Sequence, residues 1–279
     1  MLTRIFLFII LFFSPSCYAW NAANHKIIAQ IAYDNLTPKA KVKINQLGKK
    51  LDPYFQGDNS FIQMATWADQ FRFQNMPRLS QWHYINIPFS TDKMPLPAIE
   101  ENNIIAITQQ SLQVLSSPIT TTADKALFLM LLVHLVGDIH QPLHASTRIS
   151  KKLPHGDYGG NLYPIKTRYA RNLHSYWDRG LDFAKLKRQR PTLKQVKKIA
   201  QLLEHEYPKT YLAKQIEIQA PMAWAEESHA IAQNFAYTTP KNKRPSAHYV
   251  RKGRRIVKRQ LTLAGYRLAY CLNKILDRT

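Results

Sequence analysis

Two histidine–aspartate pairs, His134 with Asp138 and His174 with Asp178, share a spacing of four residues, so each pair projects from one face of any helix that carries it. The first pair opens the run His134-Leu-Val-Gly-Asp138-Ile-His-Gln-Pro-Leu-His144. Pro142 should bend that run and let His144 aim at a neighbouring ion. Imidazole nitrogens mixed with carboxylate oxygens suit zinc. A carboxylate such as Asp138 in an apolar helix is costly to bury unless a cation pairs with it, whereas His140 reads as an ordinary core histidine satisfied by hydrogen bonds. Upstream, Trp67-Ala68-Asp69 and Trp82-His83-Tyr84 offer one more carboxylate and one more imidazole. Aromatic residues beside Asp or His are also common on plain half-buried elements.

The elements that must position these groups read as helices. From Asn24 to Leu36, Ile27, Ile28, Ile31, Ala32 and Leu36 fall near a 3.6-residue period, and Thr37-Pro38 closes the run. Ile104–Leu115, Val196–Leu203 and Gln260–Leu276 behave alike. Thr120, Thr121 and Thr122 offer N-caps to a helix over Ala123–His140, apolar all round from Ala126 to Val136 except at His134, which predicts a central, buried position. Loops are predicted at 51–59, 88–97 and 151–164, the last marked by Pro154, Gly156, Gly159 and Gly160. No strand-like alternation is sustained. The expected fold is all-α, a single mostly helical domain.

Residues 1–19 carry Arg4, an apolar stretch from Ile5 to Phe13, Pro15, and small residues ahead of Trp20. This is the pattern of a secretory signal peptide, too short for a membrane span, with cleavage after Ala19 making Trp20 the new N-terminus. A lipoprotein signal at Cys17 is the rival reading, and Pro15-Ser16 suits it poorly. Residues 20–279 would then form one domain with a single cysteine, Cys271, so an intramolecular disulfide is excluded and Cys271 should be a small buried hydrophobe. The formal net charge is +21, and nine Lys or Arg residues without an acid lie between Lys241 and Arg259. That stretch is either a solvated basic loop feeding a helix or a landing surface for nucleic acid or anionic membrane.

The order of these motifs resembles that of the S1/P1 nuclease family through nearly all of residues 20–279. The resemblance rests on Trp20 with His25 five residues later, the Trp-Ala-Asp-x-x-Arg segment from Trp67 to Arg72, and His83-Tyr84. It continues through the His134–His144 run, the Gly159-Gly160-Asn161 turn and Asn172-Leu-His174-x-x-Trp177-Asp178. It implies three Zn2+ ions in a cluster at the base of a cleft. One ion would take Asp69, His83, His134 and a shared Asp138; the second Asp138, His25 and the amine and carbonyl of Trp20; the third His144, His174 and Asp178.

The implied reaction is hydrolysis of phosphodiesters in single-stranded DNA or RNA, with 3′-nucleotidase activity and 5′-phosphate products. Asp69 would orient the attacking water or accept its proton, and Arg72 would contact phosphate. Tyr84 and Asn86 match the positions that stack on and hydrogen-bond to a splayed base, although family members often carry Asp where this chain has Asn86. Asn161 either positions a ligand or phosphate or caps its turn. Fungal and plant members carry disulfides and glycans, whereas this chain has a single sequon, Asn35-Leu-Thr37, which suggests an exported bacterial enzyme in the periplasm or outside the cell. Two alternatives stand beside the nuclease. One is a zinc-dependent phospholipase C, whose final pair typically ends in Glu where Asp178 stands. The other is a non-enzymatic exported nucleic-acid-binding protein with a structural metal.

Overall fold

Local signals fix where the chain coils, and the apolar stripes decide how the coils stack. A computed structural model describes residues 20–51, 60–72, 77–184 and 191–278, apart from the side chains of 70–72 and 77–78. The predicted signal peptide and the predicted loop at 52–59 lie outside the described residues. The first helix, α1, spans Ala22–Asp34 behind Asn21, whose side chain accepts from the Asn24 amide, and α2 spans Pro38–Lys49. Thr37-Pro38 therefore does more than stop α1. Thr37 caps α2 and Pro38 occupies its first turn, where a missing N–H costs nothing. Three short helices follow, α3 (Phe61–Met64), α4 (Trp67–Arg72) and α5 (Pro77–Ser80).

Next come α6 (Ile104–Ser116) and α7 (Thr122–Ile139); of the three candidate threonines, Thr121 caps α7 by accepting from the Asp124 amide at 3.1 Å. From Leu129 to Ile139 every residue of α7 is buried. Residues such as Leu129, Leu132, Val133 and Val136 each contribute about 1.5–3 kcal/mol by leaving water, which offsets the cost of carrying His134 and Asp138 on the same helix. The remaining helices are α8 (Leu173–Asp178), α9 (Leu193–Glu206), α10 (Lys209–Ile216), α11 (Pro221–Asn234) and the long α12 (Ala247–Leu276). Helices α1, α6 and α11 pack around α7, and α12 runs beside α1, α7 and α9.

Two expectations need revision. Inside the predicted loop at 88–97, β1 (Pro88–Ser90) pairs in parallel with β2 (Thr147–Ile149), with Phe89 opposite Arg148. Three residues are too few for alternation to register in a sequence. The basic stretch is also mostly helix: Ser246 caps α12, so only 241–246 forms the loop, and Gly253 lies within the helix rather than breaking it. Cys271 is buried as expected, and burial pushes its thiol up to about 11. No described helix is long and apolar enough to cross a membrane. The fold is all-α.

Candidate metal centre

Four segments converge on Asp138. Its Oδ1 lies 3.2 Å from His25 Nε2, while its Oδ2 lies 3.0 Å from His83 Nδ1 and 3.1 Å from His134 Nε2. Asp69, on α4, brings Oδ1 to 3.7 Å from His134 Nε2 and 4.0 Å from His83 Nδ1. Donors bound to one tetrahedral zinc at about 2.0–2.1 Å stand about 3.3 Å apart, and these separations bracket that figure. Asp138 and His134 have no exposure, whereas the Asp69 side chain is 18% exposed, so solvent reaches the group from the α4 side.

A second group forms around Asp178. Its Oδ1 is 3.6 Å from His144 Nε2 and its Oδ2 is 3.5 Å from His174 Nε2. The final turn of α7 joins the two groups, and hydrogen bonds from the Ile85 amide to His144 O and from the Thr147 amide to Ile87 O, beside the β1–β2 pair, lock the His83 and His144 segments together.

Hydrogen bonds fix which nitrogen each ring presents. His134 donates from Nδ1 to Ala65 O at 2.7 Å, His144 to His83 O at 2.6 Å, and His174 to Gly159 O at 2.8 Å. Each bond leaves Nε2 as the bare donor facing a carboxylate, the arrangement that orients metal-binding imidazoles. Gly159 reaches its place with φ 62°, and a Cβ there would stand 2.2 Å from Leu143 O. His25 stacks on His134 with centroids 4.0 Å apart. The contact requires Gly137, whose Cβ would lie 2.9 Å from His25 Nδ1.

The electrostatics call for a cation. Burial disfavours charge on His25 and pushes it down to about 4; burial also lowers His83. It opposes charge on His134 as well, but Asp138 and Asp69 outweigh it and raise that imidazole to about 9. Burial works against ionised Asp138 too, yet the facing imidazoles hold its carboxyl well below the usual range. The buried atoms His25 Nδ1 and Nε2, Asp138 Oδ1, Asp69 Oδ1 and His144 Nε2 have no aligned hydrogen-bond partner; His25 Nε2 and Asp138 Oδ1 are close without the alignment of a shared proton. His25 and His83 are held neutral, Asp138 is held ionised, and the proton that His134 carries stands where a metal ion would replace it, so this set with its unaligned donor atoms fits metal ions. Among the described residues three combinations could hold one: His25, His134 and Asp138; Asp69, His83 and His134; and His144, His174 and Asp178.

The other expected residues divide. Trp20 is fully buried just before α1, and the Asn21 amide donates to Asp178 O at 2.9 Å, which ties the start of the described chain to the second group. Tyr84 and Asn86 are half-buried on either side of buried Ile85, so they share the face turned from the core. Asn161 Nδ2 donates to Tyr158 O at 2.8 Å, a turn-closing bond. Arg72 ends α4 and its side chain lies outside the described residues. His140 is a core histidine: Nδ1 donates to Val136 O at 2.7 Å, Nε2 accepts from Arg267, and burial with the Arg267 charge pushes it down to about 3.

Sequence reasoning missed Gln141. Its Nε2 donates to Asp178 Oδ1 at 2.7 Å and its Oε1 accepts from the Leu143 amide at 2.6 Å, so one fully buried amide steadies both Asp178 and the bend before His144. A buried amide inside a run of candidate donors was the available signal.

An all-α fold closing on buried histidine–carboxylate groups defines a helical protein built to bind metal. The family model for S1/P1 Nuclease matches residues 20–277, and the chain belongs to that family of phosphodiester hydrolases. Among curated relatives, Endonuclease 1 of Arabidopsis thaliana is 26% identical over 280 residues, covering 93% of this chain and 88% of its own. Nuclease S1 of Aspergillus oryzae is 27% identical over 287 residues, covering 92% of each. Endonuclease 2 of Arabidopsis thaliana is 30% identical over 184 residues, a match that spans 58% of that protein's length.

Proposed function

We propose that this protein is a zinc-dependent endonuclease of single-stranded DNA and RNA that also removes 3′ phosphates from nucleotides. The observation that carries the reading is the pair of buried groups around Asp138 and Asp178, with imidazole nitrogens turned inward by backbone carbonyls. Asp69, His83, His134 and Asp138 would hold one zinc; Asp138, His25 and the amine and carbonyl of Trp20 a second; His144, His174 and Asp178 a third. Bound there, zinc supplies Lewis acidity that makes water nucleophilic near neutral pH and stabilises the departing oxygen.

The chain's own residues do the rest. Asp69, the more exposed carboxylate, orients the attacking water and accepts its proton as the new bond to phosphorus forms. The bond from phosphorus to the 3′ oxygen breaks, that oxygen takes a proton from solvent, and the products are a 3′ hydroxyl and a 5′ phosphate. Arg72 grips a phosphate oxygen with its planar fork. Tyr84 stacks on an unpaired base and Asn86 bonds to its edge, which favours strands whose bases are free to splay. Asn161 supports the Gly159 turn that holds His174 and so acts on phosphate indirectly. Residues 1–19 would serve as an export signal, since their removal frees the Trp20 amine.

The test is to load the chain that begins at Trp20 with zinc and offer it single-stranded DNA, single-stranded RNA, duplex DNA, a 3′-nucleotide and phosphatidylcholine vesicles. The proposal expects cleavage of both single strands and the 3′-nucleotide, with duplex cut far more slowly. Cleavage of phosphatidylcholine with DNA left intact would make the protein a phospholipase C. Binding of DNA without cleavage would make it a binding protein with structural metal.

A further inference from the structure

The nine cations between Lys241 and Arg259 divide into two sets. Arg254 donates to Leu181 O and Asp182 O, Lys258 pairs with Glu206, Arg259 pairs with Glu227 at 2.9 Å, and Lys241 lies over the Tyr163 ring. These four serve the fold. The other five, Lys243, Arg244, Arg251, Lys252 and Arg255, are exposed and make no ion pair among the described residues, and of these Lys252 also lies over the Phe235 ring at 5.2 Å from its centroid. Arg255 follows Arg251 by four residues and Lys252 by three, exposed His248 precedes them by three and four, and all lie on one side of α12, while Tyr249 and Val257 bury the opposite side. Like charges one turn apart repel, and α12 has no acid in its first turn to complement its dipole, so the arrangement costs local stability.

The segment that carries this face is tied to the candidate metal centre through its buried side and the loop before it. Trp177, one residue before Asp178, donates from Nε1 to the Tyr249 hydroxyl at 3.0 Å, and Arg254 reaches the Leu181 and Asp182 carbonyls just after Asp178. The Asn242 amide donates to Pro164 O at 2.7 Å, and Pro164 bridges to Asn172, the cap of α8.

We infer that Lys243, Arg244, Arg251, Lys252 and Arg255 form a phosphate-binding track that holds a single-stranded polynucleotide beyond the bond being cut. The inference rests on the nuclease reading and adds a second binding region to it. The observations favour a nucleic-acid backbone over a lipid surface. A membrane-binding helix sets large apolar side chains beside its cations, and no exposed large hydrophobic residue lies between Ile218 and Tyr270. A bare cationic face instead matches a flexible row of phosphates, whose condensed counterions it would release.

The test replaces all five cations with Gln in the zinc-loaded protein and compares kcat/KM for a long single strand with that for a dinucleotide too short to reach the track. A second variant, with Lys and Arg exchanged at the five positions, keeps the charge, and thermal unfolding checks that both variants fold. The expected result is a fall of about tenfold or more on the long strand through KM, with dinucleotide cleavage unchanged. The slope of log kcat/KM against log salt should shrink by up to about 3.5, at about 0.7 for each phosphate no longer neutralised. The exchanged variant should keep the parent's slope. Equal rates of parent and Gln variant on the long strand, or equal losses on both substrates, would overturn the inference while leaving the nuclease reading intact. A Gln variant that loses only its binding to anionic vesicles would assign the face to lipid and overturn it too. A parent inactive on both substrates would overturn the nuclease reading itself, and the track with it.

Discussion

A carboxylate without solvent contact and with three imidazoles within 3.2 Å cannot become a neutral amide without changing what its surroundings can hold. Asp138→Asn keeps the shape and removes the charge. On the proposed reading two ions share it, so the variant should lose metal from both positions and more than about 100-fold in turnover, measured by elemental analysis and a single-strand cleavage assay. Near-normal zinc content and rate would remove Asp138 from the centre. Gln141 is subtler. Gln141→Met preserves volume but frees Asp178 Oδ1 and orphans the Leu143 amide, which should weaken metal affinity by about 10–100-fold and cost about 1–3 kcal/mol. Chelator competition and thermal unfolding separate these effects, and unchanged affinity would reduce Gln141 to a turn residue. The spacing of His and Asp showed which residues lie on one helix face. It could not show the bonds from Nδ1 to Ala65, His83 and Gly159, because backbone carbonyls are the same at every position and only the fold selects three of them.

Helices α7, α11 and α12 meet in a second buried network with its own pH dependence. Arg267 is almost fully buried; it donates to His140 Nε2 at 2.8 Å and pairs with Glu227 at 2.9 Å, while Arg259 holds the other Glu227 oxygen. Burial acts to raise the Glu227 carboxyl, but the two guanidiniums outweigh it and hold it below the usual carboxylate range. A carboxyl depressed in the folded state contributes stability above its unfolded pKa, and that contribution is lost as pH falls through the folded value. Glu227→Gln should therefore destabilise the protein by up to about 3 kcal/mol at pH 7, the low end for breaking a buried pair because Glu227 keeps some exposure. The gap from wild type should close as pH drops below about 5. Thermal unfolding across that range measures it, and a gap independent of pH would refute the assignment.

Periodicity revealed α1, α6, α7 and the C-terminal part of α12, since each carries a clear apolar stripe or an all-apolar run. It did not reveal the first half of α12. A cationic face, Gly253 and the Pro245 just ahead of the helix imitate a loop there, and the buried side is carried by only a few residues such as Tyr249 and Val257.

At the scale of the whole molecule, residues 20–279 hold a single cysteine, the buried Cys271, which leaves packing and metal to hold them together. The +21 charge raises the encounter rate with any polyanion, so cleavage of long strands should slow steeply with salt. The proposed removal of residues 1–19 is the other global variable. Trp20 is fully buried beside the Asp178 segment, and a free α-amine with a pKa of about 7.7–8.0 can give its lone pair to zinc where a peptide nitrogen cannot. A chain that keeps even one residue ahead of Trp20 should bind less zinc and cleave more slowly than one that begins there. Equal zinc and equal rates would show that the terminus is not a donor.

The most direct measurement is a zinc anomalous-scattering map from crystals of the chain that begins at Trp20. Three peaks are predicted. One lies among Asp69, His83, His134 and Asp138; one between Asp138, His25 and the Trp20 amine; and one among His144, His174 and Asp178. A single peak, or none beside Asp138, would contradict a three-zinc centre.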